Sequence, residues 1–155
     1  MGFRGVFLRG YASVMSTIFS KIIAGEIPCY RLYEDEHVLA FLDVGPVARG
    51  HCLVIPKQPA VELDHLSDDA GAALGRVLPR MVRALKAATG CDGVNLLQNN
   101  GAAAGQVVMH VHFHLIPKYR SQPQAAQGFH VNWTAGKLHE DDAAELTSKI
   151  TAALG

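Results

Sequence analysis

The sequence predicts an α+β fold in which one mostly antiparallel sheet of five strands is combined with one long helix. Five short apolar or β-branched segments alternate with turn residues, and an amphipathic segment of helical periodicity lies between the third and the fourth. The other connections are hairpin-like, which favours antiparallel pairing. A chain of 155 residues suffices for one core. We predict a single domain at residues 16–155, with an N-terminal extension at 1–15 and a C-terminal tail at 119–155.

A short helix and a hairpin are predicted for the first third of the domain. Between residues 16 and 27 apolar residues recur at helical spacing, and Gly25 and Pro28 end the pattern. Two β-branched or aromatic runs follow at 30–33 and 38–42, joined by a charged turn. These runs predict the first two strands.

The middle of the chain predicts a third strand and the main helix. Residues 43–50 contain two glycines and a proline and predict a loop, after which 51–55 returns as a strand. A capping serine and two acids then begin a helix over 68–89. Pro79 lacks a donor N–H, so we expect it to kink or split this helix near Val77.

Two more strands and a last helix complete the prediction. The strands lie at 93–98 and 109–116 and are joined by a loop at 99–106, and the tail holds an irregular segment through Trp133 and a helix over 141–154. We expect the helices to cover one face of the sheet. The other face is then free for a ligand or a partner.

Charge and hydropathy exclude several classes of partner. Fourteen basic residues balance fourteen acidic ones, so no global positive field exists to hold nucleic acid or an anionic membrane. No apolar run approaches the roughly 18 residues that a membrane span requires, and we expect a soluble protein. Cys29, Cys52 and Cys91 are few and odd in number, which favours a reduced compartment.

The first twenty residues carry Arg4 and Arg9 but no acid, which loosely matches an organelle transit peptide. We expect a cytoplasmic protein, or a mitochondrial one if this segment acts as a transit peptide. A disordered extension is the alternative.

Three histidines alternate with apolar residues in the segment MHVHFHLIPK. In a strand, His110, His112 and His114 would share one face while Val111 and Phe113 face the other. A merely solvated face is disfavoured, because the strand is otherwise apolar. A metal site is physically allowed, but the sequence lacks a C-x-x-C or H-E-x-x-H partner motif. Nucleophilic or acid–base chemistry is favoured, since imidazole performs both near neutral pH.

The loop before the histidines predicts a site for phosphate. In NNGAAAGQ, Gly101 and Gly105 let backbone amides approach an anion closely. Amides aimed at phosphate oxygens beside an imidazole are what phosphoryl transfer requires.

Taken together, these motifs resemble the histidine triad (HIT) family. The signature is GQVVMHVHFHLI, and TIFSKIIAGEIP, AFLDVGPVARGHCLVIPK and QNNGAAAGQ are similar to other family segments, in the same order. The resemblance is greatest to the Hint-like and general HIT branches and spans residues 16–118. It implies a HIT-like fold that pairs into a two-fold homodimer and binds a purine nucleotide.

The resemblance also implies roles for individual residues. His112 would be the nucleophile that attacks an α-phosphate and forms a nucleotidyl-histidine, which water then hydrolyses to the monophosphate. His110, His114 and His51 would set the tautomer of His112 and support proton delivery. The residues that would hold the phosphate or the leaving group are Asn99, Gly105, Gln106 and Val107.

The nucleoside part of the site follows from the same resemblance. Asp43 would accept hydrogen bonds from both ribose hydroxyls, which a carboxylate can do; as a turn residue it would have only a local role. The residues that would line the base slot are Ile18, Phe19, Ile22, Ile27, Phe41, Leu42 and Val44.

Two departures from the family pattern stand out. Val107 replaces a hydroxyl residue of some relatives, so one side-chain contact to phosphate is lost. Thr17 and Ser20 occupy the segment in which some bacterial relatives bind structural zinc through a cysteine pair. We therefore expect no such zinc, no other metal and no cofactor.

The predicted activity is hydrolysis of purine nucleoside phosphoramidates or related adenylates, without a required metal. One alternative is a dinucleoside polyphosphate hydrolase, and another is a nucleotide-binding interaction module whose hydrolysis is incidental. A triad that binds metal is a third. The main helix and the strand at 93–98 offer a surface through which a homodimer would extend the sheet.

Overall fold

Five strands pair into one antiparallel sheet in the order β1-β2-β3-β5-β4. The computed structural model describes residues 16–121 and 134–154, so the predicted extension at 1–15 and the end of the irregular segment at Trp133 lie outside the described residues. The α+β class and the strand count are confirmed, whereas the domain limits stay a prediction. The strands are β1 Arg31–Glu34, β2 Val38–Leu42, β3 Cys52–Pro56, β4 Gly93–Leu97 and β5 Phe113–Lys118.

Three helices accompany the sheet: α1 Ile18–Ile23, α2 Asp68–Thr89 and α3 Glu140–Leu154. The predicted limits of α2 are correct because both ends carry local signals. The hydroxyl of Ser67 accepts the N–H of Ala70, and Gly90 adopts a left-handed conformation at the other end. Within residues 16–121 and 134–154, no helix is both long enough and apolar enough to cross a bilayer.

Pro79 does not split α2, which runs unbroken through it. Pro79 removes the hydrogen bond to the carbonyl of Gly75, and both residues are exposed, so water can take the place of the lost donor. Val77 and Met81 are buried on the opposite side and keep the two halves packed on the sheet.

Apolar residues pack on both faces of the sheet. The two longer helices cover one face, as expected, but α1 packs on part of the other face, which was expected to be free. One face packs against α2 and α3, where Ala143, Leu146 and Ile150 are fully buried. On the opposite face, Phe19 and Ile22 of α1 pack on the sheet and form a second apolar cluster with it. The sheet residues of this second cluster are Leu39, Phe41, Leu53 and Ile55.

The strand predicted at 109–116 begins later, at Phe113. Before it, the N–H of Val111 donates to the carbonyl of Ala60, and the N–H of His110 donates to that of Val108. The backbone at 108–112 is therefore bonded to a loop and to itself instead of to β3. His110 and His112 lie in this irregular entry and only His114 lies in the strand.

Candidate active site

A cavity of about 560 Å³ lies on the α1 side of the sheet. Its volume is in the range of pockets that bind small molecules. It is lined by residues of α1, of the loop after β2, of β3, of the loop before β5 and of β5 itself. The lining residues are Ile18, Phe19, Asp43, Gly45, Leu53, Asn99, Gly105, Val107, Val108, His112 and His114.

The backbone fixes the tautomer of His112. Its Nδ1 lies 2.7 Å from the carbonyl oxygen of His110. Because a carbonyl only accepts, Nδ1 carries the proton and Nε2 keeps its lone pair. The imidazole ring of a neighbouring histidine was expected to do this, and the structure assigns it to the peptide group of His110.

His51 and His114 form the direct imidazole pair of the site. Nε2 of His51 lies 3.0 Å from Nδ1 of His114, and the N–H of Val47 donates to Nδ1 of His51 at 3.3 Å. His51 therefore carries its proton on Nε2 and donates it to His114, which leaves the proton of His114 on Nε2. The ring of His114 packs edge-on against that of His112, with centroids 4.8 Å apart.

His110 does not line the cavity. Its ring is buried, packs edge-on against Phe19, and donates from Nε2 to the carbonyl of Pro56 at 2.8 Å. The residue therefore contributes a carbonyl to the site and an imidazole to the core. A direct catalytic role for its ring does not fit this orientation.

Burial lowers the pKa of the four histidines described above from the usual 6.5. It lowers the pKa of His51 to about 4, and burial together with the nearby His112 and His51 lowers that of His114 to about 3. The pKa values of His110 and His112 are lowered by the same cause, although the bond to His110 and the charge of Asp43 oppose this at His112. The histidines are neutral at pH 7, as a nitrogen nucleophile must be.

The loop between β4 and β5 is shaped by two glycines and by Gln106. Gly101 and Gly105 have φ angles of +80° and +86°, which non-glycine residues rarely adopt. Gln106 is buried, donates from Nε2 to the carbonyls of Val61 and Val108, and accepts the N–H of Gly101 at 2.7 Å. Gln106 was expected to hold phosphate oxygens or the leaving group. It holds the loop instead, because a buried amide must satisfy its own donors.

Asp43 lies in the cavity wall directly after β2. Its Oδ1 accepts the N–H of Gly45 at 2.8 Å, and its Oδ2 lies 3.6 Å from Nδ1 of His51. Asp43 is therefore a turn residue and a cavity residue at the same time. Asn99 also lines the cavity and donates from Nδ2 to the carbonyl of Gly105 at 3.3 Å.

The comparisons with known proteins agree with this geometry. The family model for the HIT domain matches residues 24–121, more than half of the chain. The chain belongs to the HIT family. It is 42% identical over 138 residues to adenosine 5′-monophosphoramidase hnt1 of Schizosaccharomyces pombe, covering 89% of this chain and 98% of that one.

Two further relatives bear on this HIT protein. Adenylylsulfatase HINT3 of Arabidopsis thaliana is 48% identical over 101 residues, which cover 65% of this chain and 51% of that one. The crystal structure of a Hit-like protein of Bartonella henselae superimposes with a TM-score of 0.78 at 33% identity, covering 93% of this chain and 99% of that one. The HIT fold is thus shared over most of the chain.

The apolar residues predicted for the base slot of this HIT protein fall into three groups. Ile18 and Phe19 line the cavity, whereas Ile22, Phe41 and Ile27 belong to the apolar cluster around Phe19. Two predicted residues do not belong to the slot. Leu42 packs on the α2 face, because successive strand residues point to opposite faces, and Val44 is 67% exposed and does not line the cavity.

Gly45, Leu53 and Val108 line the cavity but are absent from the predicted set. A sequence signal for Leu53 existed, since it lies two residues after His51 and so shares its side of a strand. In the sheet it pairs with His114 and with Phe41. Gly45 and Val108 carry no comparable signal.

Asp43, His51 and His114 are the set of potential metal ligands found among residues 16–121 and 134–154, with ligand atoms within 4.8 Å of one another. Two of these residues already share the 3.0 Å imidazole bond. The ring of His110 is directed to Pro56, so the three triad rings do not converge on one ion.

Thr17 and Ser20 cap α1 reciprocally. The hydroxyl of Thr17 accepts the N–H of Ser20 at 3.1 Å, and the hydroxyl of Ser20 accepts the N–H of Thr17 at 2.8 Å. This capping box orients the short helix that carries Ile18 and Phe19 to the cavity.

Proposed function

We propose that this HIT protein hydrolyses purine nucleoside phosphoramidates, or related adenylates, to the nucleoside monophosphate. The observation that carries the proposal is the bond from Nδ1 of His112 to the carbonyl of His110, which leaves Nε2 of a cavity-lining imidazole unprotonated. A neutral imidazole of this tautomer is a nucleophile. The relatives named as a phosphoramidase and as an adenylylsulfatase support the same type of reaction.

In the first step, Nε2 of His112 bonds to the α-phosphorus while the bond from phosphorus to the leaving nitrogen or oxygen breaks. The resulting imidazolium keeps its Nδ1 proton, and the carbonyl of His110 stabilises the new charge. The N–H on Nε2 of His114 and the amide of Val107 are the donors proposed for the phosphate oxygens or the leaving group. The N–H of Gly105, which was expected to be a further donor, instead donates to the carbonyl of Ala102 at 3.0 Å.

In the second step, water attacks the same phosphorus and the bond to His112 breaks. A leaving amine takes up one proton as it departs and the water releases one, so no net proton is consumed. Asp43 is proposed to accept hydrogen bonds from the two ribose hydroxyls, and Ile18 and Phe19 are proposed to pack against the base. Binding the nucleoside in this way positions the phosphorus for attack.

The decisive experiment is to trap the intermediate. After brief reaction with an adenosine phosphoramidate and acid quenching, mass spectrometry should find an adenylyl group on the peptide that contains His112. The variant His112→Asn should form no adduct and should lose turnover while it still binds the monophosphate. Unchanged turnover in this variant would contradict the assignment.

A substrate panel separates the alternatives within the same chemistry. Adenosine phosphoramidate, adenylyl sulfate, diadenosine triphosphate and diadenosine tetraphosphate are compared by kcat/KM. The proposal requires that adenosine phosphoramidate or adenylyl sulfate has the highest kcat/KM. Preference for a dinucleotide would assign a polyphosphate hydrolase instead, and tight monophosphate binding with negligible turnover of all four would assign a binding module.

We also propose that the protein is a homodimer that pairs through β4. This strand lies at the edge of the sheet, and an unpaired edge is a template for another strand. Leu96 of β4 is 46% exposed, so apolar area is available on that edge strand. Sedimentation should give a dimer at micromolar concentration, and Leu96→Lys should shift it to monomer.

A further inference from the structure

The segment before α3 forms a brace against the loop that carries Asp43. In this tail brace, residues 134–138, the N–H of Gly136 donates to the carbonyl of Pro46 at 2.9 Å and the N–H of Leu138 donates to that of Val44 at 3.2 Å. Both segments advance by two residues between the two bonds, in opposite directions. This is the spacing of an antiparallel pair.

The contact is close enough to depend on glycine. A Cβ on Gly136 would lie 3.1 Å from the carbonyl oxygen of Pro46, closer than carbon and oxygen normally approach. On the other side, a Cβ on Gly45 would lie 3.7 Å from that of Ala135 and 3.8 Å from Oδ1 of Asp43. The tail brace therefore packs against the turn whose residues Asp43 and Gly45 line the cavity.

Arg49 holds the same loop to the helix that follows the brace. Its guanidinium is 2.9 Å from a carboxylate oxygen of Glu145 and 3.4 Å from one of Asp142, both on α3. The hydroxyl of Tyr119 donates to the carbonyl of Arg49 at 3.2 Å. Since α3 is anchored in the core by Leu146, these contacts connect the loop to a fixed element.

We propose that the tail brace and Arg49 are positioning elements for ribose recognition, which they achieve by fixing the turn that presents the carboxylate of Asp43 to the cavity. This inference rests on the role proposed above for Asp43. Because the turn is already fixed before the ligand binds, less conformational entropy is lost on binding. The gain is largest for the ligand that donates the most hydrogen bonds to the carboxylate of Asp43. That ligand carries both ribose hydroxyls.

The test compares the dissociation constants of AMP and of 2′-deoxy-AMP by calorimetry, together with the melting temperature of every variant. Gly136→Ala disturbs the brace and Arg49→Met removes the ion pairs. Gly71→Ala and Arg83→Met are the matched controls, because Gly71 has no atom near an added Cβ and Arg83 is an exposed residue of α2. Arg49→Lys restores the charge.

The preference for AMP over 2′-deoxy-AMP should fall about two- to fivefold in Gly136→Ala and in Arg49→Met, the range that exposed ion pairs contribute. It should be unchanged in both controls and partly restored in Arg49→Lys. In the Asp43→Asn background, where the preference is already lost, the brace variants should change it no further.

Three results would overturn the inference. The first is an unchanged preference for AMP in brace variants that remain folded. The second is an equal weakening of AMP and 2′-deoxy-AMP binding, and the third is a wild-type protein that shows no preference between them. If Asp43→Asn keeps the full preference, the proposed role of Asp43 fails. The reaction itself is tested separately, because these are binding measurements and do not depend on turnover.

Discussion

His51 and His114 share a hydrogen bond between their imidazole rings, from Nε2 to Nδ1 at 3.0 Å, although 63 positions separate them in the chain. The N–H of Val47 donates to Nδ1 of His51, so a backbone group determines which nitrogen of His114 carries the proton. The tautomer of His114, which lines the cavity, therefore depends on a backbone group in the loop after β2.

Replacing His51 by Leu should lower kcat with little change in KM. Without the donor at Nδ1, His114 can adopt the other tautomer and lose its Nε2 proton. We expect a decrease of about tenfold, less than the roughly 100-fold or more that direct acid–base catalysts contribute. His51→Gln should recover part of it, since its amide can donate to Nδ1 of His114. Equal losses in both variants, measured by steady-state kinetics, would argue against the tautomer mechanism.

The free energy of unfolding should fall as the pH is lowered from about 6.5 to about 4. Burial lowers the folded pKa of His51 to about 4 and that of His114 to about 3, against 6.5 for an ordinary histidine. In this window the unfolded chain binds more protons, so stability rises with pH and is fully present above about 6.5. Urea titrations at several pH values should show that the free energy of unfolding depends less on pH in His114→Gln. His37→Gln, at an exposed position, should keep the wild-type dependence on pH.

His110→Ala should affect stability more than His112→Asn does, and turnover less. The ring of His110 is buried against Phe19 and donates to the carbonyl of Pro56, so its removal leaves a void and an unsatisfied acceptor. The expected loss is about 1–3 kcal/mol in the free energy of unfolding. Its own carbonyl, which orients His112, is retained. If His110→Ala abolished turnover without a loss of stability, its ring would have a catalytic role.

Gly50→Ala should destabilise the protein by about 1 kcal/mol or more and should lower kcat. The φ angle of Gly50 is +89°, and an added Cβ would lie 2.9 Å from Cγ2 of Thr89. The adjacent His51 would move with the backbone. Gly25→Ala is the matched control, since Gly25 has a φ of +77° but no atom near an added Cβ. The difference between the two variants, measured in urea, isolates the steric contact, and equal losses would attribute the effect to backbone strain alone.

The sequence by itself determined the features that depend on local periodicity and on backbone chemistry. The limits of α2 follow from Ser67, Gly90 and the apolar stripe between them, and the strands follow from alternation and turn residues. The glycine-rich loop joined to three histidines predicts a phosphate site, and this stays a prediction.

Only the tertiary structure decided which groups face the cavity. Gln106 turns inward to the carbonyl of Val61, and the ring of His110 reaches the carbonyl of Pro56, because each satisfies a partner that is distant in the chain. The tautomer of His114 depends likewise on the distant ring of His51, whereas that of His112 follows from the carbonyl of His110, two residues before it. Local sequence specifies the conformation of a segment, whereas the direction of a side chain depends on what the folded chain places beside it.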